Sequence, residues 1–219
     1  MFPSQMAEAV IKKGESKSKK VEPSVKEKKQ LLEVPLINQM DEPHLKNGCE
    51  VTSLAMILNY YGIKVTKNGL ADLIKKEPLN YPHNKKGNPN IGFVGDMADG
   101  PGLSVYNGPI FDLAKRYMGD RVVNLTNRPF DELLEKVHQG SPVWVLITNN
   151  FKPGAKFRKW ETPQGTIYIT FSGHSAVITG FDKHYIYVND PYGYKNRKVN
   201  RKDFFDAWSE MGKQAISIE

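Results

Sequence analysis

The sequence predicts an α+β fold, with helices dominating the first half and strands the second. Three observations carry that expectation. Val51, Leu54, Ala55, Leu58 and Tyr61 fall three or four apart, which is one buried helical face, and Gly62 follows as a stop. Beyond residue 140, four short runs at 143–147, 166–169, 176–179 and 185–188 are rich in β-branched and aromatic residues. Gly, Asn or Asp turns separate them. At 219 residues, with 39% hydrophobic and 25% charged residues, the chain is long enough and ordinary enough for one globular core.

In chain order, residues 1–30 hold eight lysines against four glutamates, more than half of the formal net charge of +7. They read as a Lys-rich lead or linker, with electrostatic contact to an anionic surface as the functional alternative. The rest of the chain carries no basic stripe with interleaved aromatics, so no nucleic-acid partner is expected. No run of about 18 apolar residues exists, so no membrane span is expected, and no signal peptide is visible. A domain is expected over 31–219. It opens with an extended segment at 32–39, which Pro35 confines to an edge. A polar loop at 41–48 then delivers the chain to Cys49 and the helix at 50–61. Residues 66–76 read as a second helix, with Leu70, Leu73 and Ile74 turned inward. Gly, Pro and Asn recur through 77–109 and forbid long regular elements there. Phe93, Val94, Met97 and Tyr106 nevertheless argue for an ordered loop that walls a cleft. Helices are expected at 110–118 and 129–138, the latter with Pro129 in its first position and Asp131 and Glu132 at the positive end of the dipole. A strand lies between them at 122–125. A last helix at 201–211 carries Phe204, Phe205 and Trp208 on one side, and 214–218 closes the sheet.

The chemistry centres on Cys49, the one cysteine, which excludes an intramolecular disulfide. A lone cysteine is often just a small buried hydrophobe. Cys49, however, follows an Asn47-Gly48 turn at the start of a helix, where free N–H groups and the dipole lower a thiol pKa and can hold an oxyanion. A thiolate nucleophile needs a base, and the base needs a partner that fixes its tautomer. Of the five histidines, His174 stands at the mouth of a buried strand after Gly173, a residue that permits close approach of another chain. A hairpin through 181–184 returns the chain so that Asp190 lands near His174 and accepts from its Nδ1–H, with Asn189 as the other candidate. No ligand pair has metal spacing, so no metal or other cofactor is expected.

The stretches VPLINQMDEPHLKNGCEVTSLAMILNYYG, GFVGDMADGPGLSVYNGP, SGHSAVITGFD and VNDPYG, spread over residues 31–195, resemble the C39-like (bacteriocin-processing-type) peptidase family of the papain-like clan. The resemblance is to the free-standing domains of Gram-positive bacteria, not to those fused to transporters. It implies a papain-like fold and a cysteine peptidase acting on a peptide or protein. Carried over by position, Cys49 is the nucleophile, His174 the general base, Asp190 the orienting acid and Gln39 the oxyanion glutamine. Ten positions separate Gln39 from Cys49, more than in the transporter-fused branch. Gly48, Gly173 and Asn189 are the expected substrate contacts, and a monomer is expected. The resemblance also implies an extracellular or cell-surface location, with a cytoplasmic one as the alternative. Two rival functions share these residues: a cell-wall peptide amidase or acyltransferase, and an inactive domain that binds peptides or surface polymers.

Overall fold

The computed structural model describes residues 30–219. The Lys-rich lead expected over 1–30 therefore lies, save its last residue, outside the described residues.

The first helix, α1 (Cys49–Tyr60), is buried without a break from Cys49 to Leu58. It is not a one-faced helix but a central one, because α2 (Lys67–Leu73), α3 (Asn107–Met118) and the sheet all pack around it. Its polar residues in this run, Glu50, Thr52 and Ser53, are buried too. Thr66 caps α2 by accepting from the Gly69 N–H. That helix ends earlier than its periodicity predicts. Ile74 turns extended (ψ 139°), and β2 (Lys76–Glu77) pairs in parallel with β3 (Phe93–Val94). Leu70 and Ile74 enter the core, but Leu73 is 45% exposed, a correction to its expected role. The irregular stretch at 77–109 is ordered as expected, with Phe93, Val94, Met97 and Val105 buried.

The main sheet is antiparallel throughout: β10 (Tyr194–Asn200), β9 (Tyr185–Asp190), β8 (Gly173–Phe181), β5 (Val143–Thr148), β11 (Ala215–Ile218) and β4 (Val122–Asn124), in that order. β1 (Gln30–Leu31) pairs with β8 at Gly180 and Phe181, beyond the reach of β5. A separate hairpin joins β6 (Arg158–Thr162) to β7 (Gly165–Ile169). β5 and the interior of β8 are wholly buried, which is why they read as continuous apolar runs. Helices α4 (Phe130–His138) and α5 (Arg201–Glu210) cover the sheet, with the Phe130 ring in contact with those of Phe204 and Trp208. Pro129 stands at the N-cap of α4 instead of inside its first turn. Two buried indoles fasten the layers: Trp144 Nε1 donates to the Glu50 carbonyl (3.1 Å) and Trp208 Nε1 to that of Gln214 (3.0 Å).

Candidate active site

Cys49 is the first residue of α1, and Gly48 before it provides no side-chain cap. Gly48 is required for space and not, as the Asn-Gly pair suggests, for positive φ. Its φ is −102°, and a Cβ there would lie 2.6 Å from the Leu45 Cβ. The loop that delivers Cys49 is tied to a second loop. The Lys46 and Asn47 N–H groups donate to the Ala98 and Met97 carbonyls, while Asn47 Nδ2 reaches those of Asp96 and Gly100. With no side-chain cap on α1, the Cys49 N–H stays beside its own sulfur.

His174 comes from β8 and Asp190 from the end of β9, across the expected hairpin, in which Val177 faces Asn189. Both are buried, at 1% and 0% exposure, and they meet at 2.9 Å. His174 is the second residue of β8, at the strand mouth as expected, but the ring nitrogen involved is Nε2 and not Nδ1 as anticipated from the sequence. Nδ1 takes no part in that contact. Two aromatic rings contact the imidazole: Tyr192 stacks on it (5.0 Å, 10°) and Phe151 meets it in a T-shaped arrangement (5.9 Å, 86°). Phe151 adopts φ 58°, a strained conformation for an aromatic residue. Asp190 Oδ1 also accepts from the Tyr192 N–H (3.0 Å), and Oδ2 from Arg197 Nη1 (2.7 Å). Of the two candidates for the ring's partner, Asp190 is the one that bonds it. Asn189 is buried, donates to the Val34 carbonyl and accepts from the Asn196 N–H. Gly173 does not serve close approach, since a Cβ there would meet only ordinary contacts.

The sulfur itself departs most from expectation. Burial pushes the Cys49 thiol well up, and the adjacent Glu50 carboxyl pushes it further, outweighing the helix-terminal N–H groups. Cys49 Sγ donates to Glu50 Oε2 at 3.3 Å. The Ser175 backbone N–H, one residue from His174, also points at the sulfur, which fixes the N-terminus of α1 against the His174 end of β8. Gln39 is fully buried, yet both its amide protons go to the Leu45 (3.0 Å) and Lys46 (2.9 Å) carbonyls, while Oε1 has no partner among the described residues. As placed, Gln39 braces the loop before Cys49.

Sequence reasoning passed over four contributors. Glu50 stands in a first helical turn, where an acid is ordinary, and Arg197 lies in a stretch with no strand signal. Ser104 and Phe151 stand in turn-rich sequence. The signal available for Arg197 was the turn pair Lys195-Asn196: Asn196 takes φ 50° at a register shift in β10, which sends Arg197 toward Asp190.

An α+β body that sets the start of a cysteine-bearing helix against the strand carrying the histidine of a buried histidine–aspartate pair has a papain-like fold. Within that class the chain belongs to the Peptidase C39 like family, whose model matches residues 31–216. The Bacillus subtilis (strain 168) protein YvpB, itself uncharacterised, is 55% identical over 188 residues, which cover 86% of this chain and 75% of that relative. The crystal structure of a Bacillus anthracis protein assigned as a C39-like peptidase superposes with a TM-score of 0.83. The two share 42% identity, and the match covers 88% of this chain and 98% of the other. Among the described residues no helix is long and apolar enough to cross a membrane.

Proposed function

We propose that this chain is a cysteine peptidase that cleaves peptide bonds through an acyl-enzyme on Cys49. The observation that carries the reading is the buried His174–Asp190 pair, with Tyr192 and Phe151 against its ring, on the strand whose next residue, Ser175, points its N–H at the Cys49 sulfur. The Cys49 proton passes to His174 Nδ1, and the imidazolium so formed is held through Nε2 by Asp190. The thiolate attacks the peptide carbonyl. The oxyanion takes the Cys49 backbone N–H, which no side-chain cap competes for. The amine leaves with the proton from His174, and a water activated by the same nitrogen releases the acid. Gln39 joins the oxyanion site only by exchanging one of its two loop carbonyls for the substrate oxygen.

The test is hydrolysis of casein and of a mixed peptide library by the wild type, Cys49→Ala, His174→Ala and Asp190→Asn. Trapping of the acyl-enzyme by mass spectrometry accompanies it. Cleavage by the wild type is expected, with loss in the first two variants and a drop of roughly 100-fold or more in Asp190→Asn. Cleavage confined to purified peptidoglycan indicates the amidase reading. The raised thiol favours one rival, a domain that binds peptide without cutting it. Peptide binding with no acyl-enzyme under any condition decides for that rival.

A further inference from the structure

Acyl-enzyme chemistry calls for no carboxylate at Glu50, yet one is buried there, with 1% of the residue exposed. Its two oxygens have separate partners. Oε1 accepts from the Ser104 hydroxyl and from the Val105 N–H (3.1 Å), which fastens the segment before α3 to α1. A neutral glutamine would perform that fastening at less desolvation cost. Oε2 faces the other way and accepts from the Cys49 thiol at 3.3 Å. A carboxylate at this distance favours S–H over S⁻, since a thiolate would place two negative charges side by side.

The surrounding groups divide by element. From β8 comes the Ser175 N–H, which with the N–H of Cys49 itself favours the thiolate. From the end of β9 and the turn after it come Asp190, whose charge is engaged by His174 and Arg197, and Tyr192, which feels both Cys49 and Glu50. From the segment before α3 comes Tyr106, pushed up to about 12 by burial and by the Glu50 charge. Gln39, in the entry segment, presents no charge. Glu50 is therefore the group that opposes ionisation of the sulfur from directly beside it.

We propose that Glu50 holds the Cys49 proton in the resting protein, masking the nucleophile as a thiol until bound substrate turns it to His174. The proposal rests on Cys49 being the nucleophile. In the unmasking step the S–H bond breaks, the electron pair stays on sulfur, and the proton joins His174 Nδ1. Glu50 keeps its charge against Ser104 and Val105. The thiolate and carboxylate then repel one another, and acylation, which leaves a neutral thioester, relieves that repulsion.

The experiment is the rate of iodoacetamide alkylation of Cys49 against pH in the wild type, Glu50→Gln, Ser104→Ala and His174→Ala, with folding checked by circular dichroism. Glu50→Gln keeps the shape and removes the charge. It is expected to lower the apparent thiol pKa by about one unit or more, so that alkylation near pH 6 rises about tenfold. Ser104→Ala takes a donor from the carboxylate, strengthens its hold on the thiol and moves the profile to higher pH. A Glu50→Gln profile that superimposes on the wild type, or moves up, overturns the proposal. If that variant does not fold, an unchanged or lowered Ser104→Ala profile overturns it instead. His174→Ala is scored separately: a profile identical to the wild type sinks the Cys49–His174 pairing and leaves the Glu50 comparison readable.

Discussion

Asp190 and Glu50 are buried carboxylates whose environments push them in opposite directions. Burial raises both, but in Asp190 the bonds from His174, the Tyr192 N–H and Arg197 outweigh burial and hold the carboxyl below its ordinary value. In Glu50 burial wins and the carboxyl stays above it. The signs of their contributions to stability follow. Ionised Asp190 stabilises the fold above the unfolded value of about 3.9, and that contribution is lost as pH falls through the lower folded value. Glu50 has the reverse sign: its ionisation destabilises the fold as pH rises past the unfolded value. Arg197→Met removes one charged bond to Asp190 from a partly exposed partner, so a loss of about 1–2 kcal/mol at pH 7 is expected. Urea melts at pH 7 and pH 3 check it, and the deficit should shrink at the lower pH. A deficit independent of pH rules out the charge account. In the same melts, Glu50→Gln should be more stable than the wild type at pH 7, with the gain fading toward pH 4. Cys49, His174 and Asp190 could be read from the sequence because each stands at a marked junction: a helix start, a glycine before a buried strand, an Asp-Pro turn. Glu50 could not, because an acid in a first helical turn ordinarily complements the dipole from solvent.

Among the elements, what the sequence disclosed largely tracks burial, β7 being an exposed strand that its Thr-Ile-Tyr-Ile run still marks. β5, β8 and β9 announce themselves as apolar β-branched runs because both faces are covered. β6 and β10 are mostly exposed and carry RKWET and YKNRKVN, so no hydrophobic period marks them. The loops before α1 and α3 put this logic to a test through two glycines with opposite expectations. A Cβ at Gly48 would press on Leu45 Cβ at 2.6 Å and Met97 Cγ at 3.3 Å, displacing the loop that sets Cys49. Gly48→Ala is expected to lower the melting temperature by several degrees, corresponding to about 1–3 kcal/mol, and to reduce any Cys49 acylation. At Gly108, in the first turn of α3, a Cβ meets only the Asn90 carbonyl at 3.7 Å. Gly108→Ala removes backbone freedom from the unfolded chain and should stabilise by about 0.5 kcal/mol. Thermal melts of the two variants side by side decide the matter; equal effects would mean that close packing at Gly48 does not matter.

At the scale of the whole molecule, the candidate site exists only because α1 is docked on the sheet. The nucleophile rides on the helix, while the base and its partner ride on β8 and β9. That docking is held from β5, where the Trp144 indole bonds the Glu50 carbonyl. β5 in turn depends on β11, which lies between β5 and β4 and not at an edge. The last strand in sequence is thus interior in space, flanked by Trp208 and Gln214 hydrogen bonds that tie α5 to the same layer. Removing residues 215–219 deletes four buried side chains and the backbone partners of both β4 and β5. It leaves two unpaired edges, one of them the fully buried β5, with nothing to satisfy its amides. The shortened chain is expected to lose its cooperative melting transition, and with it the His174–Asp190 pairing and any Cys49 reactivity that depends on it. Circular dichroism melts and the alkylation profile measure both. If the shortened chain melts cooperatively and keeps the wild-type thiol profile, the site is held by the α1–β8 contact alone, and the sheet beyond β5 has no part in positioning it.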